Sequence, residues 1–277
     1  MGERDSRTVF VLGLSSDIGA ELGKRFQKDG WVVYGTYRHG PVPGELFEPA
    51  RTFSCDVTDP ASIARMAGAC RAAGLCWDVF IGAVGTEEPI GPYFECDVDA
   101  WETSVRANAL GLLRALHALH PLRAPGRECA CVLFAGAGTN DAAVGYSAYS
   151  ASKIFLIKMC ELLAAENPDL NPVIIGPGIV RTKIHAQTIR AGARSGSNYD
   201  KVVRFLAAGA AGVSHDDVYA CVTWCVRAGR LVTGGRNISL VHDAWREGGD
   251  ALRAALVADP HLYRLRRSGN SWEAPSR

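Results

Sequence analysis

The sequence predicts an α/β protein: one doubly wound domain around a parallel sheet of seven strands, with an extension at its C-terminal end. Three observations carry that expectation. Short β-branched runs alternate with longer stretches of helical apolar spacing, which is the pattern of βαβ units. A glycine-rich turn joins the first strand to the first helix, at residues 13–19. The 277 residues contain no internal repeat, no low-complexity segment and no convincing linker. One domain therefore accounts for residues 8–242, and residues 243–277 form the extension.

The elements follow in order. Residues 8–13 read as the first strand, 17–29 as a helix, 31–37 as the second strand and 52–55 as a short third one ending at Asp56. A helix is expected over 60–73, because Asp59 can cap it and Pro60 suits its first position. Residues 77–83 form the fourth strand, 98–120 one long helix and 129–135 the fifth strand. A second long helix covers 147–167, with Ile154, Phe155, Ile157, Met159, Leu162 and Leu163 at roughly helical spacing. Strands six and seven fall at 172–175 and 237–241. Residues 183–212 hold Gly192, Gly196, Gly209 and Gly212 among polar residues and read as a mobile substrate flap, where His185, Arg190, Arg194 and Tyr199 can meet a hydroxylated or anionic compound.

Composition excludes several functions. Hydrophobic residues at 48% and charged residues at 21% suit a folded globular enzyme. A formal net charge of +1 offers no long-range field for nucleic acid or acidic lipid, and the basic run 264–267 reads as a solvated helix face. Nine cysteines without CxxC pairs read as reduced thiols, residues 1–7 lack a signal peptide's apolar region, and no run is long enough for a membrane helix. A cytoplasmic location is expected. His117 and His120 can meet on a helix but have no third ligand nearby, so no metal is expected, and no GxSxG elbow supports hydrolase chemistry.

The turn Gly13-Leu14-Ser15-Ser16-Asp17-Ile18-Gly19 lies where a phosphate-binding turn belongs: glycine permits a tight turn, and the helix N-terminus offers unpaired N–H groups. Tyr149 and Lys153 stand four apart at a helix start and so share a face. A free phenol has a pKa of about 10, and nearby positive charge lowers it, so such a pair makes an acid-base group. Other landmarks are Asp56-Val57 after the third strand, Gly82-Ala83-Val84-Gly85 ending the fourth, Asn108 in the long helix, and Pro177-Gly178 followed by Thr182.

Together these segments resemble the short-chain dehydrogenase/reductase family over residues 8–241, with Ser147-Ala148-Tyr149-Ser150-Ala151-Ser152-Lys153 matching its YxASK core. The turn resembles the family's GxxxGxG, with Asp17 for the middle glycine and Leu12 for a frequent threonine. The resemblance implies a Rossmann-type sheet. It also implies a cofactor held by Gly13, Ser15, Ser16, Asp17, Ile18, Gly19, Arg38, Asp56, Val57, Gly85, Tyr149, Lys153, Pro177, Gly178 and Thr182. Of the family's Asn-Asn-Ala-Gly only Gly85 is retained. Tyr149 is the implied acid-base residue, Lys153 serves it and the nicotinamide ribose, and Asn108 helps hold a water beside the lysine. The family's serine, thirteen residues before the tyrosine, is replaced by Gly136. Thr139 is the nearest hydroxyl; backbone N–H groups of the glycine-rich turn or a polar group of the substrate are the other candidates.

The expected activity is interconversion of a ketone and a secondary alcohol on a polar small molecule such as a sugar, cyclitol or nucleoside. The alternatives are a turnover-impaired nucleotide sensor or scaffold, and a redox-neutral epimerase or dehydratase. The second strand ends Gly35-Thr36-Tyr37-Arg38 without a carboxylate for a ribose hydroxyl, so NADP(H) is expected to be preferred, with NAD(H) possible. The long helices resemble those that pair across subunits in this family, implying a homotetramer or homodimer, and the tail is expected to cover a neighbouring subunit or the cleft.

Overall fold

β-branched runs make buried strands. In a computed structural model, which describes residues 6–40, 46–209 and 212–266, β1 (Thr8–Leu12) is buried at every position, as a strand covered by helices on both sides must be. It is flanked by β2 (Val32–Tyr37) and β4 (Val79–Gly82). Beyond β2 lies β3 (Thr52–Ser54); beyond β4 lie β5 (Cys129–Phe134), β6 (Leu170–Gly176) and β7 (Asn237–Ser239). The order is β3-β2-β1-β4-β5-β6-β7 and every pairing is parallel. The chain winds one way from β1 to β3 and the other way from β4 on, so a crevice opens at the carboxyl ends of β1 and β4.

Alternation along the strands builds two cores. Phe10, Leu12, Trp77 and Phe80 point to one face, under α2 (Pro60–Ala72), α4 (Gly111–Leu119) and α5 (Ser147–Glu166). Val9, Val11 and Ile81 point to the other, under α1 (Asp17–Lys28) and α8 (His215–Ala228). Capping sets where helices begin: the Ser16 hydroxyl accepts the Gly19 N–H at 3.0 Å, and Asp59 accepts the Ala61 N–H at 2.8 Å.

One expectation is corrected. The long helix over 98–120 is three pieces: α3 (Val98–Val105), a π-helical turn (Arg106–Leu110) and α4. Wider winding brings Gly111 against the carbonyl of Val57, where a β-carbon would have no room, and turns Asn108 toward the crevice. The described residues of the flap form α6 (His185–Ala191), a short 3-10 turn and α7 (Ser197–Ala207), with Gly192 and Gly196 supplying positive φ at the breaks. Residues 210–211 of the flap lie outside the described residues.

The tail, as far as it is described, packs on its own domain. Trp245 is buried against Trp224, 6.2 Å away between centroids, and α10 (Gly249–Ala258) buries Leu256. Arg236, only 3% exposed, donates to the carbonyls of Val232, Leu256, Asp259 and Leu262, stitching the tail to α9 (Arg230–Thr233). Glu161 holds Arg266 at 2.6 Å and stands 3.9 Å from Arg264; Arg267, the last of the basic run, and residues 268–277 lie outside the described residues. Among the described residues no helix is long and apolar enough to cross a membrane.

Candidate active site

The turn after β1 packs so closely on its own neighbours that its glycines leave no room for side chains. Gly13 has φ +91°, and a β-carbon on it would lie 2.8 Å from Val84 Cγ1; one on Gly19 would overlap the Gly13 carbonyl. The Gly13 N–H donates to Thr36 Oγ1 at 2.9 Å and the Ser16 N–H to the Gly13 carbonyl at 2.9 Å. Ser15, Asp17 and Ile18 complete the turn and the first winding of α1. The geometry fits a dinucleotide diphosphate laid across the N-terminus of α1.

At the end of β2, Arg38 is exposed. Asp56, after β3, accepts the Thr58 hydroxyl at 2.7 Å and its N–H at 2.8 Å, while Val57 is buried. Burial works against ionisation of Asp56, but the Thr58 bonds, with Arg38 and His39 beside it, hold its carboxyl below the usual range. On the other side of the crevice Gly178 has φ +72°, and a β-carbon there would meet Val241 at 2.5 Å. Pro177 and the half-buried Thr182 flank it.

Tyr149 and Lys153 lie side by side in the first turns of α5. The ammonium of Lys153, in a residue 5% exposed, sits 5.4 Å from the centre of the Tyr149 ring and donates to the Phe134 carbonyl at 2.9 Å. Burial brings its pKa down to about 8. Burial, and then the carboxylate of Glu87, push the Tyr149 phenol above its ordinary value, and Lys153 does not offset them. The reason is geometric, since Lys153 faces the ring rather than bonding the phenol oxygen.

Asn108 is fully buried and spends its side chain on the loop after β4: its Oδ1 accepts the Thr86 N–H at 2.8 Å and its Nδ2 donates to the Thr86 carbonyl at 2.8 Å. A β-carbon on Gly85 would stand 3.2 Å from Asn108 Oδ1 and 3.9 Å from Lys153 Nζ, so Gly85 floors the site between them. Gly136 abuts Tyr149 so closely that a β-carbon would lie 2.5 Å from Cε1 and 2.6 Å from Cζ, and closer still to the phenol oxygen. Thr139 turns its hydroxyl back onto the Gly136 carbonyl, 3.4 Å away.

Sequence reasoning missed a second group beside this centre. Glu87 Oε2 accepts the hydroxyl of the buried Thr188 at 2.9 Å, and Tyr146 Oη meets the same hydroxyl oxygen at 2.8 Å. The Glu87 N–H donates to Gln187 Oε1 at 2.6 Å, so the flap helix α6 is latched to the loop after β4. Glu87 Oε1 carries no hydrogen bond among the described residues. Burial pushes the Glu87 carboxyl up, against the lowering by Thr188. Its place two residues after Gly85, at the carboxyl end of a strand, was the signal available. Of the flap residues expected to meet substrate, Arg190 pairs with Glu88 at 3.0 Å, Arg194 bonds the Glu95 carbonyl at 3.3 Å and His185 the Val180 carbonyl at 2.9 Å. Tyr199 is half-buried on α7.

With this sheet order, turn and Tyr–Lys pair, the chain belongs to the short-chain dehydrogenase/reductase family: the family model described as enoyl-(acyl carrier protein) reductase matches residues 13–238. Among curated proteins it is similar to mouse (Mus musculus) 17-beta-hydroxysteroid dehydrogenase type 1, 30% identical over 212 residues covering 72% of this chain and 57% of that protein. It is also similar to serine 3-dehydrogenase of Agrobacterium fabrum, 28% identical over 42% of this chain and 48% of that protein. The chain thus spans about half the length of these relatives. Among solved structures, a short-chain dehydrogenase/reductase from Saccharomyces cerevisiae shares the fold with a TM-score of 0.75 at 20% identity, covering 87% of this chain and 99% of that one.

Proposed function

We propose that the protein is an NADP(H)-preferring oxidoreductase that interconverts a ketone and a secondary alcohol on a polar small molecule, with Tyr149 as the acid-base residue. The observation that carries this is the placement of Tyr149 beside Lys153 on α5, at the carboxyl end of β5 and within one crevice with the phosphate turn. A bound nicotinamide cofactor supplies or accepts the hydride. Tyr149 Oη hands its proton to the carbonyl oxygen in reduction and takes the hydroxyl proton in oxidation. Lys153 keeps a positive charge beside the ring and serves the nicotinamide ribose, with Asn108 holding the loop that floors them.

Glu87 supports a substrate rich in donors. The Glu87 charge acts on the Tyr149 phenol, and its carboxylate offers an acceptor to a hydroxyl or amino group of a sugar-like or amino-alcohol compound. Buried Cys55, Cys70, Cys129, Cys131, Cys160, Cys221 and Cys225 are free thiols, which suits work in the reducing cytoplasm. Exposed Val98, Leu110, Phe155 and Leu162 on α3, the π-turn and α5 favour assembly as a homotetramer or homodimer; sedimentation showing only monomer at micromolar concentration would refute this.

The activity is tested by incubating purified protein with NADPH and a panel of ketones bearing hydroxyl or amino groups. Oxidation of NADPH is expected; binding without turnover across the panel would support a sensor instead. Arg38, alone in replacing the acidic residue that receives a ribose hydroxyl, makes the NADPH preference moderate. Arg38→Ala should weaken NADPH and leave NADH unchanged, whereas an equal or better kcat/KM with NADH in the parent protein would contradict the assignment.

A further inference from the structure

Asp17 breaks the glycine pattern of the phosphate turn by putting a carboxylate on the first residue of α1, where a dinucleotide's diphosphate would lie. A negative side chain stabilises a helix N-terminus, yet it opposes an incoming diphosphate. The chain supplies a counter-charge from far along the sequence. The N–H of Lys183 donates to Asp17 Oδ2 at 2.5 Å. The ammonium of the same residue donates to the Ser15 carbonyl at 2.9 Å and stands 3.8 Å from Asp17 Oδ1.

Backbone and side chain of Lys183 thus both engage the phosphate turn, and the ammonium sits at its mouth. The side chains are 34% exposed for Asp17 and 69% for Lys183, so the pair contributes little to folding. The neighbouring carboxylate on α1, Glu21, is taken by Lys24 at 2.7 Å and Arg25 at 2.6 Å. Lys183 also follows Thr182 directly and opens the flap, whose helix α6 is latched to Glu87.

We propose that Lys183 is a cofactor-binding residue that cancels the charge of Asp17 at the diphosphate subsite, so that the base of the flap must be docked on the turn for the dinucleotide to bind. This rests on the dinucleotide role of the turn and is independent of Tyr149 and of the substrate. Cofactor binding and flap docking are then reciprocal, each favouring the other.

Fluorescence titration of the full chain with NADPH and with NADH tests it. Lys183→Met should weaken both by at least ~10-fold, equivalent to about 1.4 kcal/mol, because both carry the same diphosphate; Arg38→Ala should weaken NADPH alone. Asp17→Asn should bind at least as tightly as the parent chain, and the Asp17→Asn/Lys183→Met double variant should recover to within ~3-fold of it. Added salt should narrow the gap between parent and Lys183→Met. Parent-like binding by Lys183→Met, or a double variant no tighter than Lys183→Met, overturns the proposal. Should Lys183→Met fail to fold, Asp17→Asn decides alone: weaker binding than the parent overturns the proposal, and equal or tighter binding supports it. If the parent chain binds neither nucleotide, the dinucleotide role itself fails.

Discussion

Tyr149→Phe is expected to fold, to bind NADPH like the parent chain, and to lose at least ~100-fold in turnover. Only one oxygen is removed, and that oxygen makes no hydrogen bond to the protein among the described residues, so the ring keeps its packing against Gly136 and Lys153. Lys153→Ala is expected to lose in two ways. It strips the charge from beside the ring and vacates a buried site that bonds the Phe134 carbonyl, so turnover and cofactor affinity both fall. Tyr146→Phe separates general effects from chemical ones. Tyr146 Oη is buried on Thr188, which in turn bonds Glu87, so its loss should loosen the flap and raise KM with kcat little changed. Single-turnover rates and cofactor titrations on the three variants check all of this, and near-normal turnover in Tyr149→Phe when chemistry limits the rate would remove Tyr149 from the mechanism.

Gly136→Ser is expected to harm the enzyme even though it restores the hydroxyl common at this position in the family. A β-carbon there would lie inside the Tyr149 ring's van der Waals envelope, 2.5 Å from Cε1. Inserting atoms into such a contact forces the side chain aside at a cost of about 1–3 kcal/mol. The displaced phenol no longer meets the substrate oxygen, and turnover should fall at least ~10-fold. NADPH affinity should hold, because the phosphate turn lies across the crevice on β1. A rise in turnover in Gly136→Ser would show that the phenol moves freely and that Gly136 is a missing hydroxyl rather than a seat for Tyr149.

The sheet was legible because its strands are written twice over, in β-branched runs and in the turns that bound them. Thr8–Leu12 and Cys129–Phe134 fall within one residue of expectation. The helix His215–Ala228 carried its own signals, a Ser214 cap, Asp216 and Asp217 in the first turn, and Val218, Cys221, Val222 and Cys225 on one face, yet was passed over beside the glycine-rich flap. The π-turn at Arg106–Leu110 had no sequence signal of its own, because tertiary packing of Gly111 on Val57 and the bonds of Asn108 to Thr86 produce it. The same holds for the site. Tyr149, Lys153 and the turn at Gly13 sit at fixed spacing within single elements, whereas the Glu87–Thr188–Tyr146 chain joins residues up to 101 positions apart and exists only once the flap is folded down.

The sharpest measurement of the central claim follows a label from cofactor to product. NADPH carrying deuterium on its transferable position, incubated with a turned-over ketone, should deliver one deuterium to the carbon bearing the new hydroxyl and be consumed one-for-one with product. Product formed without deuterium on that carbon, or formed while the cofactor is conserved, would contradict direct hydride transfer and favour a redox-neutral reaction on the same fold.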